Sequence, residues 1–280
     1  MIWLLSAAGC SIAIALILKV NEVRGGNRLL LIGANYVVAS ILSVILLKGE
    51  IRWPGMKTLS LGVGAGVDFV LGFLLLLSGI SRGPLAVPVT VMRLSVAVPI
   101  TASILLWGEQ PGLYQWSGIG LGMIAIILFG IGLSGENSKN QAGERYWFVI
   151  VSLFFVMGAG DLLLKAFREL SPDIERLLFT WILFTVAAII VWIIIWVKRI
   201  HFDYGTLALG LFLGAPNLFS TVFILKALQT IPASQAFPFV NLTVILVSSL
   251  FGFAVWKERL GFIAVAGLAL AAIAIVLLPM

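Results

Sequence analysis

Ser134-Gly-Glu-Asn-Ser-Lys-Asn-Gln-Ala-Gly-Glu-Arg145 is the most polar stretch of this chain and lies at the middle of its 280 residues. Its glycines, short polar side chains and charges have the composition of a connection, not of a packed element. Working outward from it, apolar segments follow one another in both directions. Toward the N-terminus they fall at 113–133, 85–107, 58–79, 28–47 and 2–20, and toward the C-terminus at 146–166, 176–197, 204–226, 233–256 and 260–279. An apolar run of roughly 18 residues or more is long enough to cross a bilayer as a helix. The reading is an all-α integral membrane protein of ten transmembrane helices, five on each side of the polar stretch. Residues 1–134 form a first five-helix repeat, 135–145 a linker and 146–280 a second five-helix repeat.

Composition agrees. Apolar residues make up 61% of the chain and charged residues 11%, with a mean hydropathy of +1.15, more apolar surface than a soluble fold can cover. The net charge of +6 is scattered between the apolar segments, which suits anchoring at lipid head groups and excludes a basic face for nucleic acid. Cys10 is the single cysteine and His201 the single histidine. Disulfides, histidine- or cysteine-based metal sites and a histidine-based catalytic centre therefore lack the residues they need, and no cofactor, metal or enzymatic activity is expected. Cys10 has no basic segment before it, so the first apolar segment is expected to remain as a membrane helix.

The two halves correspond in order. Lys19 matches Lys165, Gly62-Val-Gly-Ala-Gly66 matches Gly210-Leu-Phe-Leu-Gly214, Gly83-Pro84 matches Ile231-Pro232, Trp107-Gly108-Glu109 matches Trp256-Lys257-Glu258, and Ser117-Gly118 matches Ala266-Gly267. Such ordered self-similarity marks an internal repeat. Five is odd, so the second repeat enters the membrane from the opposite side, and inverted repeats place substrate sites near the bilayer midplane.

The stretch Pro99-Ile-Thr-Ala-Ser-Ile-Leu-Leu-Trp-Gly108-Glu109 followed by Gly118-Ile-Gly120-Leu-Gly122, its echo in Trp256-Lys257-Glu258-Arg259 with Gly267, and Lys226-Ala227-Leu228 before Pro232-Ala233 resemble the ten-helix EamA-like branch of the drug/metabolite transporter superfamily. The resemblance implies a multi-pass carrier of small molecules, in a bacterial or archaeal plasma membrane, with efflux the commoner direction.

A charge at membrane depth costs roughly 2.5–3.5 kcal/mol, so each needs a partner or a function. Asp68 and Arg93 lie midway along the third and fourth spans. They are expected at similar depth, either as a structural ion pair or as a site where Arg93 receives a carboxylate or phosphate and Asp68 sets charge or exchanges protons. Asn35, Tyr36, Asn217, Gln235 and Asn241 are polar groups at depth, suited to reading a substrate or to helix–helix hydrogen bonding. Asp161 and Lys165, four apart on one helical face, form a possible secondary polar site or an intrahelical pair. Lys19, Lys165 and Lys226 lie near span ends, where their ammonium groups can snorkel to the interface. Pro84, Pro88 and Pro99 on the fourth span, with Pro232 and Pro238 on the ninth, are expected to bend or gate those helices.

The leading reading is a secondary transporter of a small polar metabolite, an amino acid or other organic anion. A proton-coupled exporter of lipophilic cations and a non-transporting scaffold or lipid-modifying protein stand beside it. A small-molecule substrate and membrane lipid are the expected partners, with no nucleic acid. Oligomeric state is open, a monomer being sufficient. Lysine and arginine counts in the connections favour both termini outside by a small margin.

Overall fold

A computed structural model describes residues 1–48, 53–83, 86–133, 144–257 and 261–280. Pro84, the linker residues 135–143 and the Glu258-Arg259 pair lie outside them. Every regular element among the described residues is helical: α1 (Ile2–Val23), α2 (Arg28–Leu46), α3 (Met56–Arg82), α4 (Ala86–Leu94), α5 (Ala97–Trp107), α6 (Leu113–Leu133), α7 (Glu144–Leu170), a 3₁₀ turn (Asp173–Glu175), α8 (Arg176–Val197), α9 (Tyr204–Ala227), α10 (Ala233–Trp256) and α11 (Phe262–Leu277). Hydrocarbon offers the backbone no hydrogen bonds, and a helix satisfies its own.

With α4 and α5 taken together, nine segments among the described residues are long and apolar enough to cross a membrane. The tenth, α11, has 16 residues and rises only about 24 Å. Helix ends outrun apolar runs where charges suit the helix dipole: α7 starts at Glu144 and carries Arg168 in its last turn, an acid at the positive end and a base at the negative one. Asn27 caps α2, its Oδ1 accepting from the N–H groups of Leu29 (2.9 Å) and Leu30 (3.2 Å).

The chain packs as two compact units, each drawn from both sequence halves. The first comprises Met1–Val70 and Leu163–Thr230, the second Leu71–Leu162 and Ile231–Met280. In the first, α2 packs against α8 and α9, and α1 against α9. Close approach of α9 depends on Gly210 and Gly214: a Cβ at either would lie 2.5 Å from the Leu31 carbonyl oxygen or the Val38 Cβ. The small-residue spacing thus serves packing. Phe167 and Phe179, both buried, stack at 4.2 Å where α7 meets α8.

In the second unit, α6 lies along α11, and α10 packs on α5, α6 and α11. The fourth span, read from the sequence as one helix, is interrupted at Ser95-Val96. Pro99 explains this, because it has no N–H for the Ser95 carbonyl and its ring crowds that oxygen. The Ser95 carbonyl accepts instead from the Val98 N–H at 2.9 Å. Helix α7 comes closest here, since a Cβ on Gly158 would sit 2.8 Å from the Ser95 oxygen and 2.5 Å from the Val98 Cβ.

Three further prolines expected to bend or gate their helices lie within the described residues. Pro88 is in the first turn of α4, where its missing N–H is no loss. Pro232 is the N-cap of α10 and precedes the helix. Pro238 is inside α10, which continues through it. Pro216, not singled out in the sequence, is inside α9.

Candidate functional site

Polar groups at depth gather in two places, one in each unit. In the second unit, Arg93 occupies the last turn of the short α4, two residues before the break. Its Nη1 donates to the Asn241 Oδ1 at 2.9 Å, and Asn241 in turn donates from Nδ2 to the Phe237 carbonyl at 3.2 Å. The acid that acts electrostatically on Arg93 within its own unit is Asp161 of α7. Asp68, expected from the sequence to pair with Arg93 or share a polar cavity with it, belongs to the first unit. Depth along a span is legible in a sequence, but the face that a side chain takes on a neighbouring helix depends on how the helices are rotated. Gln235, half-buried, sits in the first turn of α10, on the same helix as Asn241.

Helix α10 is itself held from the α5–α6 connection. The Glu109 Oε1 accepts from the Ala233 N–H and its Oε2 from the Ser234 N–H, both at 2.9 Å. Gly108 makes this possible by closing α5 in the left-handed conformation, φ 66°. A carboxylate placed on two free N–H groups at a helix start satisfies them and meets the positive end of the dipole. Glu109 was legible only as part of a motif; its role depends on a contact 124 residues away in sequence.

In the first unit, the Asn217 Nδ2 donates to the Asn35 Oδ1 at 3.1 Å, joining α9 to α2 one residue after Pro216. Tyr36, buried, lies within electrostatic reach of Asp68 and packs on Phe184, which also meets Phe69. Two hydroxyl pairs tie the same unit together: Ser11 with Ser220 at 2.8 Å and Ser40 with Thr185 at 2.7 Å.

Two of the lysines read as snorkelling are engaged otherwise. Lys165 is 5% exposed and its Nζ donates to Glu169 at 2.7 Å, one turn toward the helix end. Lys226 places its ammonium 4.2 Å from the centre of the Trp3 ring, a cation–π contact.

A family model described as the EamA-like transporter family matches residues 1–131 and 145–280. The chain belongs to the EamA-like transporter family. Its two matched stretches flank the polar centre of the sequence, and this EamA-like protein is therefore a multi-pass membrane protein of a family that transports small molecules. An uncharacterized protein of Haemophilus influenzae is 27% identical over 277 residues, covering 92% of this chain and 90% of that one. A protein crystal structure superposes with a TM-score of 0.75 at 11% identity, covering 99% of this chain and 94% of the other, which extends the likeness of fold to the whole EamA-like chain.

Proposed function

We propose that this EamA-like transporter is a secondary carrier that exports a small polar metabolite, an amino acid or another organic anion, by alternating access, with Arg93 receiving the anionic group. The observation that carries the reading is a guanidinium at membrane depth whose hydrogen-bond partner is a neutral amide. Arginine has five N–H donors, and Asn241 engages one of its nitrogens at 2.9 Å. The remaining donors suit a carboxylate or phosphate, which binds such a fork in a bidentate manner. Asp161 offsets the charge of Arg93 while the site is empty, and the substrate's anion competes with it. The interruption at Ser95-Val96, two residues from Arg93, provides a joint at which α4 can move relative to α5. Asn35, Asn217, Tyr36 and Asp68 form a second polar group whose internal contacts suit helix clamping, with Asp68 the candidate for proton coupling.

Counterflow in proteoliposomes across a panel of amino acids and organic anions tests this. Loss of a charge-assisted hydrogen bond costs about 1.5–3 kcal/mol, so Arg93→Gln should weaken the apparent affinity for the transported anion by roughly 10- to 100-fold. Arg93→Lys, which keeps the charge and loses the fork, should fall between. Equal transport of every anion by wild type and Arg93→Gln would end the assignment. Resistance of host cells to cationic dyes that disappears in Asp68→Asn would place the chain among lipophilic-cation exporters instead.

A further inference from the structure

The end of α8 bears a strained cation beside a cavity that lies apart from the Arg93 group. Helix α8 closes with the Ile200 N–H on the Ile195 carbonyl and the Arg199 N–H on the Trp196 carbonyl, both at 3.1 Å. This double bond pattern puts the intervening residue in the left-handed conformation and is usually completed by glycine. Here that residue is Arg199, with φ 50°, one of three basic residues, with Lys48 and Lys257, that take this conformation among the described residues, where glycine takes it at Gly25 and Gly108. A non-glycine residue held in this region is strained and persists only where its surroundings over-determine it.

Next to it is a cavity of about 450 Å³ lined by Arg199, Trp192, Ile195, Trp196 and Phe202 among others, inside the roughly 300–1,000 Å³ range of small-ligand pockets. Its walls are built: the Trp192 and Phe202 rings stack at 6.0 Å, and the Trp192 Nε1 donates to the Gly33 carbonyl at 3.1 Å. Cations dominate the surroundings. Lys198 is adjacent and exposed, and Arg24 lies on the α1–α2 turn, which meets the start of α9 where Gly26 abuts Thr206. The carboxylates on this face are committed elsewhere, Glu22 to Arg28 at 3.1 Å and Asp203 to the N–H groups of Gly205 and Thr206. His201 completes the connection. Below the cavity, Ile189, Ile193 and Trp196 expose half or more of their surface in one stripe along α8, the environment an acyl chain occupies beside a membrane helix.

We propose that this cavity holds the head group of an anionic phospholipid, its phosphate on Arg199 and Lys198, its glycerol region against Trp196 and Phe202, and one acyl chain along the Ile189–Ile193–Trp196 stripe. Tryptophan at the level of the head groups is the usual companion of such a position. A lipid, not a free anion, is the occupant because Trp196 belongs both to the cavity wall and to the apolar stripe.

The purified full chain in neutral detergent, with added phosphatidylglycerol, phosphatidylcholine or inorganic phosphate, decides the matter. Without lipid, Arg199→Gly should melt about 2–4 °C above wild type, because glycine relieves the left-handed strain. Phosphatidylglycerol should narrow or cancel that advantage, stabilising wild type more than the variant. Native mass spectrometry should show about fivefold tighter retention of phosphatidylglycerol by wild type, the factor a single basic residue contributes near a membrane surface. An Arg199→Gly advantage of the same size with and without phosphatidylglycerol would overturn the proposal. So would stabilisation by inorganic phosphate equal to that by the lipid. If Arg199→Gly does not accumulate, Arg199→Asn supplies an uncharged residue that tolerates the same backbone conformation.

Discussion

Replacing Glu109 by alanine removes the group that closes the start of α10. Its two carboxylate oxygens each accept one backbone N–H at 2.9 Å, from Ala233 and Ser234, and both of those residues are 0% exposed. Neither N–H has a preceding helical turn to bond to, so truncation leaves two buried donors without an acceptor. Each costs about 1–3 kcal/mol, and partial rehydration at the helix end favours the low end of the sum, about 2–3 kcal/mol. At about 2–4 °C per kcal/mol for a chain approaching this size, Glu109→Ala should lower the apparent melting temperature in detergent by roughly 5–10 °C. Glu109→Gln keeps one carbonyl acceptor and loses the charge, and should lose about half as much. Glu109→Asp falls short of the two N–H groups by one methylene and should resemble alanine. Because α10 also carries Asn241, the Arg93 partner, substrate protection against heating should weaken in parallel. Identical melting of wild type and Glu109→Ala would refute the capping role, and with it the physical meaning given to the Gly108-Glu109 motif.

Two further outcomes follow from particular contacts. Asn35→Leu and Asn217→Leu should each destabilise by leaving the partner amide unsatisfied, while the double variant should lose less than the sum. Side-chain hydrogen bonds within membranes show coupling of about 0.6 kcal/mol on average, and strict additivity in a double-mutant thermal cycle would show that the pair does not interact. Asp203 caps α9, and its hydrogen bonds to Thr206 and Gly205 hold its carboxyl below the ordinary value of 3.8. A depressed folded-state value means that the unfolded chain takes up the proton first, so the contribution is complete above the ordinary value and lost as pH falls through the depressed one. Melting followed from about pH 5 to pH 2.5 should therefore fall more steeply in wild type than in Asp203→Ala, and parallel curves would contradict this.

Much of the architecture is present in one dimension. Hydrocarbon requires each crossing to be a long apolar helix, so the spans, their order and the polar centre between the halves are readable from hydropathy, and Asn35, Tyr36, Asp68, Arg93 and Asn241 stand out as polar residues that such helices rarely carry. The repeat is readable too, since its landmarks recur at matching places in each half. What the residues meet is a different kind of information. That Arg93 donates to Asn241 and that Glu109 ends as the cap of α10 depend on helix rotation and on partners more than a hundred residues away. Hydropathy is a property of each segment alone and is decided by the solvent around it. Contacts are decided by the packing of glycine faces such as Gly158 on Ser95 and Gly210 on Leu31, which bring backbones together only once the helices have assembled.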